Sequence, residues 1–120
     1  MMSGSAEPWN GERVRKWLQA RLEAARLDQA AADKRGYEAP DDYDKAAAEE
    51  WVCRILAADP SIDDQAAFGD RLKKLLAQDE YRTTGIYDDR KFDRYVRATL
   101  RKLGKMAKAN DGFTNMLRYQ

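Results

Sequence analysis

Hydrophobic positions recur every three to four residues in four successive stretches of the chain, and no stretch alternates with the period of two that a half-buried strand requires. The first stretch opens at Asn10, a good N-cap, and closes before Gly36, which is suited to follow the basic Lys34 and Arg35 at a helix end. Its main stripe is Val14, Leu18, Leu22 and Ala25. A second stripe, Ala20, Ala24, Leu27 and Ala31, lies about 100–150° further round the same helix. Its small residues permit close helix approach and mark a candidate interface for an oligomer or a complex subunit. The plain alternative is an exposed surface of good helix formers.

Asp41 or Asp42 can cap a second helix, with Ala48, Trp51, Val52, Ile55 and Leu56 on its buried side, ending before Asp59 and Pro60. Ser61-Ile62-Asp63-Asp64 resembles a capping box and predicts a third helix carrying Phe68, Leu72, Leu75 and Leu76, which ends near Glu80. After a turn containing Thr83, Thr84 and Gly85, Asp88 or Asp89 caps a fourth helix that runs to Ala109. Asn110-Asp111-Gly112 stops it, and Phe113 to Tyr119 has the pattern of one short amphipathic helix. The expected fold is all-α: a compact four-helix bundle with a short C-terminal helix, one domain over residues 1–120 with residues 1–9 as a loosely ordered arm. Trp9 in that arm either staples the first helix or anchors a partner.

Composition changes the picture mainly by exclusion. The chain holds 43% hydrophobic and 36% charged residues, too apolar for wholesale disorder and without a run long enough to cross a bilayer. Lacking a basic, hydrophobic leader and carrying a lone Cys53, it is expected to be cytoplasmic. There is no histidine, which removes the usual general base and the commonest transition-metal ligand. Asp59, Ser61, Asp63 and Asp70 approach calcium-loop spacing, but Pro60 and Asp64 stand where that loop does not tolerate them. Adjacent carboxylates such as Glu49 and Glu50 diverge by about 100° on a helix and form no acid/base pair. No phosphate-binding glycine loop or nucleophile elbow is present, so no enzyme, no cofactor and no metal site is expected.

Charge is segregated along the chain. Residues 36–64 hold nine acidic against two basic residues, a net of −7, much of it at helix starts where the macrodipole favours it. Between Arg90 and Lys108 eight basic residues face the single Asp93, a net of +7 in a chain whose total is only +1. At about 100° per residue, Arg90, Arg94, Arg97, Arg101, Lys105 and Lys108 fall within roughly 40° of one direction. Phe92, Val96, Thr99, Leu100, Leu103 and Met106 point the other way. Such a ribbon can follow the phosphates of DNA or RNA without sequence preference, with Arg82 and Lys91 at its edge and Tyr95 beside it. The eight-residue turn before it, Tyr81 to Asp88, is too long for a helix-turn-helix. The expectation is therefore a small non-enzymatic protein that binds nucleic-acid backbone through its fourth helix, alone or as a subunit of a larger nucleoprotein complex. The alternative is a protein-interaction module that sets the same ribbon against an acidic partner, an adaptor or small inhibitor of the kind found in phage and defence systems, an analogy of size and fold alone.

Overall fold

A computed structural model of the chain describes residues 8–35, 40–79, 81, 89–110 and 113. Four helices dominate it: α1 (Gly11–Arg35), α2 (Pro40–Ala57), α3 (Gln65–Leu76) and α4 (Asp89–Ala109). A 3₁₀ turn, Pro60–Asp63, joins α2 to α3. There is no strand among the described residues, and the all-α expectation is met. The short C-terminal helix expected after Phe113 lies outside the described residues, as do residues 1–7 of the expected arm.

The helix ends show why these segments begin and stop where they do. Asn10 accepts a hydrogen bond through Oδ1 from the Arg13 N–H at 3.1 Å, satisfying one of the donors that the first turn of α1 leaves open. Helix α2 starts at Pro40, where a missing N–H costs nothing, so Asp41 and Asp42, expected as alternative caps, instead sit inside its first turn. The box expected at Ser61 is replaced by two separate caps. Asp59 accepts from the Ser61 N–H at 2.8 Å to start the 3₁₀ turn, and Asp64 accepts from the Ala67 N–H at 2.9 Å to start α3. Asp59 is further held in place by Arg71, whose Nε donates to its other carboxylate oxygen at 2.9 Å. Helix α3 ends at Leu76, short of Glu80. At the far end of α4, Asn110 takes a left-handed conformation with φ of 50°, the role foreseen for the Asn110-Asp111-Gly112 stop.

Helix α2 is central, packing most extensively on α1 and then on α4, while α3 rests on α4. Val14, Leu18, Val52, Leu56, Phe68, Leu72, Val96 and Leu100 meet in one core. The three partners of Trp9 decide its role. Its indole N–H donates to the Ile62 carbonyl at 2.8 Å, and its ring lies 5.7 Å from Phe68 and 5.8 Å from Phe113, which also meets Trp17 edge-on at 5.5 Å. Trp9 is thus a staple reaching across the fold rather than along α1. Gly11 makes this approach possible, since a Cβ there would stand 2.7 Å from the Ile62 carbonyl oxygen.

Candidate functional site

Helix α4 buries Phe92, Val96, Leu100, Leu103 and Ala107 and leaves Thr99 and Met106 half-buried at the margin, so the apolar side read from the sequence is the packed side. The basic side divides into parts with different duties. Arg97, at its middle, is turned into the protein. Its Nε donates to both oxygens of Asp93 at 3.1 and 3.0 Å, Nη1 to the Leu76 carbonyl at 2.7 Å and Nη2 to the Gln78 carbonyl at 2.9 Å. The guanidinium also lies 5.5 Å above the Tyr81 ring. Tyr81 completes the knot. Its N–H donates to Asp93 at 2.8 Å, its hydroxyl donates to the Leu75 carbonyl, and its ring lies 5.0 Å from Trp51. Arg97 therefore neutralises the open carbonyl end of α3, where a cation is electrostatically favoured.

Burial works against ionisation of Asp93, but the hydrogen bonds from Arg97 and the Tyr81 N–H, with the guanidinium charge, outweigh it and hold the carboxyl below its ordinary range. Burial pushes the Tyr81 hydroxyl above its usual value. Lys91 is paired with Asp41 of α2, Arg90 is exposed but engaged, and Arg82 lies outside the described residues.

The second half of the ribbon lines an open groove. Gln65 Nε2 donates to the Ala107 carbonyl at 2.6 Å and Arg97 binds the Leu76 carbonyl, so α3 and α4 run antiparallel. Between these two fastenings lies a groove of about 710 Å³, floored by Leu72, Leu76, Leu100, Gly69 and Gly104. Lys73 stands on its α3 wall, and Arg101, Lys105 and Lys108 on its α4 wall, against the single lining carboxylate of Asp70. Lys73, Arg101, Lys105 and Lys108 make no ion pair with a described residue. Arg94 and Lys102 project further out, both exposed.

The other candidates resolve differently. In the α1 stripe Ala20 and Ala24 are half-buried, Ala31 is exposed, and Leu27 is 73% exposed, the exposed large hydrophobic residue among those described. Ala31 also borders a polar cleft against α2, crossed by the Arg21–Glu49 pair and by Arg35–Asp42 at 3.3 Å. Asp59 is committed to its turn and to Arg71, whose Nε lies 2.9 Å away. No group of three metal-ligating side chains occurs among the described residues. Cys53 is buried, and burial, reinforced by Glu49, pushes its thiol up to about 12, leaving it protonated and a poor nucleophile. No helix among the described residues is long and apolar enough to cross a membrane.

The groove itself was not foreseen. Angular position on α4 collects Arg97 and Arg101 into one ribbon, but it says nothing of where α3 lies, and α3 separates a clamp from a groove wall. The available signal was a pair of glycines inside strongly helical segments, each costing about 1 kcal/mol relative to alanine without a visible local reason. Comparison with protein-family models, curated proteins and solved structures finds no match to this chain.

Proposed function

We propose that the protein is a non-enzymatic docking module that holds an acidic segment of a partner protein against the face shared by α3 and α4. The supporting observation is the combination of four cations lacking ion-pair partners among the described residues with an open apolar floor. A protein segment can satisfy both, burying apolar side chains while its carboxylates meet the rim. A phosphate backbone uses only the charge, and among the described residues the groove lining includes no aromatic ring on which a base would stack.

A second reading, binding of nucleic-acid backbone without sequence preference, is favoured by Arg94 and Lys102, which extend the cationic field beyond the groove. The side-by-side antiparallel arrangement of α3 and α4 differs from the steep crossing of a helix-turn-helix and supports no base-reading mode.

The two readings separate in one titration. Fluorescently labelled poly-L-glutamate, generic duplex DNA and single-stranded RNA are titrated at rising ionic strength through about 0.15 M. Wild type should bind polyglutamate, with affinity declining as salt rises, and the Lys73→Glu/Arg101→Glu/Lys105→Glu variant should lose it with helicity unchanged. Binding of DNA or RNA with none of polyglutamate would replace docking by the nucleic-acid reading. No binding to any of the three would overturn both.

A further inference from the structure

Gly69 and Gly104 lie inside α3 and α4, both on the groove floor, and a Cβ built on either meets, beyond its own helix backbone, no atom of the described residues within 4 Å. Neither holds a left-handed backbone conformation, and neither is needed for close packing against another described residue. Glycine in a helix interior weakens the helix. What the pair supplies is a wide floor of bare backbone on which another chain can settle at close range.

The dimensions and charges of the groove restrict what fits there. At 1.5 Å per residue the wall from Leu100 to Lys108 is about 12 Å long and that from Gln65 to Leu76 about 16 Å. That is two to three turns of a helix. The three cations on the α4 wall are spread over about 10 Å, more than one carboxylate or phosphate headgroup covers, and Lys73 faces them from the α3 wall. Satisfying both walls takes several anionic groups, placed on either side of an apolar strip.

We infer that the groove receives an acidic amphipathic helix of a partner protein. Its apolar side chains, spaced i, i+3 or i+4 and i+7, lie over Gly69 and Gly104, while its carboxylates reach Lys73 on one flank and Arg101, Lys105 and Lys108 on the other. This rests on the docking reading above and adds the conformation of the bound segment and its pattern of anchors. Charge complementarity selects an acidic partner, and the apolar floor selects a helix with one greasy face over an acidic coil.

The test uses the full chain and two synthetic peptides of about 18 residues, long enough to overfill the groove. One carries leucines at i, i+3, i+4 and i+7 flanked by glutamates; the other has the same composition with the leucines distributed around the helix. The amphipathic peptide should bind at least about tenfold more tightly and shift the amide resonances of Gly69 and Gly104. Gly104→Leu fills the groove without changing charge. It should reduce the amphipathic peptide to the level of its isomer and weaken polyglutamate, which needs only the cationic rim, by a smaller factor. Gly104→Ala, with circular dichroism on both variants, controls for folding and should show a smaller loss. Equal binding of the two peptides, or tight binding that survives Gly104→Leu, would overturn the inference and leave the docking reading standing. Failure of polyglutamate binding in wild type would instead remove the docking reading. Self-association of wild type in light scattering, abolished by Gly104→Leu, would make a second copy of the chain the occupant and would equally overturn the inference.

Discussion

Arg97→Ala is the perturbation that best separates scaffold from site on α4. The guanidinium bonds the Leu76 carbonyl at 2.7 Å, the exposed Gln78 carbonyl at 2.9 Å and both oxygens of Asp93, and it covers the Tyr81 ring. A hydrogen bond from a charged donor to a half-buried carbonyl contributes about 1.5 kcal/mol. The cation–π contact adds about 0.5 kcal/mol, and the i,i+4 pair, with side chains 21% and 19% exposed, adds about 0.5 kcal/mol. Truncation should therefore cost about 2–3 kcal/mol, a shift of about 1–2 M in a urea midpoint. Arg94→Ala, a few residues away on the exposed side, should stay within about 0.5 kcal/mol. The difference should also depend on pH. The folded pKa of Asp93 lies below the ordinary aspartate value, so its stabilising share is fully present above that ordinary value and is lost as pH falls through the lower folded pKa. Because Arg97 is the main cause of that depression, the gap between wild type and Arg97→Ala should narrow in the same acid window. Polyglutamate binding should be retained. Equal midpoints for Arg97→Ala and Arg94→Ala, or loss of binding in Arg97→Ala without unfolding, would refute the assignment of Arg97 to the scaffold.

Gly69→Ala and Gly104→Ala should each raise stability by about 0.5–1 kcal/mol, read as a higher thermal midpoint, since each new methyl enters open space and helix propensity improves. Leu72→Ala, only 2% exposed in the native protein, should lower stability by about 2–5 kcal/mol in urea titration, whereas the 73% exposed Leu27→Ala should change it by under about 0.5 kcal/mol. A thiol reagent at neutral pH should label Cys53 at the rate of opening of the fold and not at that of a free thiol, because burial keeps the group protonated up to about 12.

Much of the fold was legible because the controlling forces are local. The 3.6-residue periodicity placed α4 from Asp89 to Ala109, and Asn10 and Asn110 acted at helix ends as their side chains and backbone preferences dictate. Where neighbouring caps compete, local reasoning fell short: three carboxylates and Ser61 crowd the α2–α3 connection, and the pairing of Asp59 with Arg71 twelve residues on helped decide which one capped which turn. Trp9 shows the same limit at longer range. Its hydrophobicity and position at the head of α1 foretold a staple, but its partners, Ile62 and Phe68, come from elements more than fifty residues away.

The candidate site was legible only in its charge. Six ribbon residues share an angular sector whatever the tertiary structure, yet the work available to each depends on what packs beside it. Helix α3 converts Arg97 into a clamp by bringing its open carbonyl end within reach, and makes Arg101, Lys105 and Lys108 the wall of a groove by stopping short of covering them. The glycines bear on both halves of this arrangement. Larger residues at Gly69 and Gly104 would strengthen two helices and fill the space between them, so the chain is less stable than the same backbone allows at the place where cations without an ion-pair partner among the described residues gather. A solvated charged face needs no such opening, because cations on a closed helix pair would keep the protein soluble equally well. The coincidence of lost helix stability, open apolar floor and concentrated charge is therefore what favours a bound partner over a surface adapted for solubility alone.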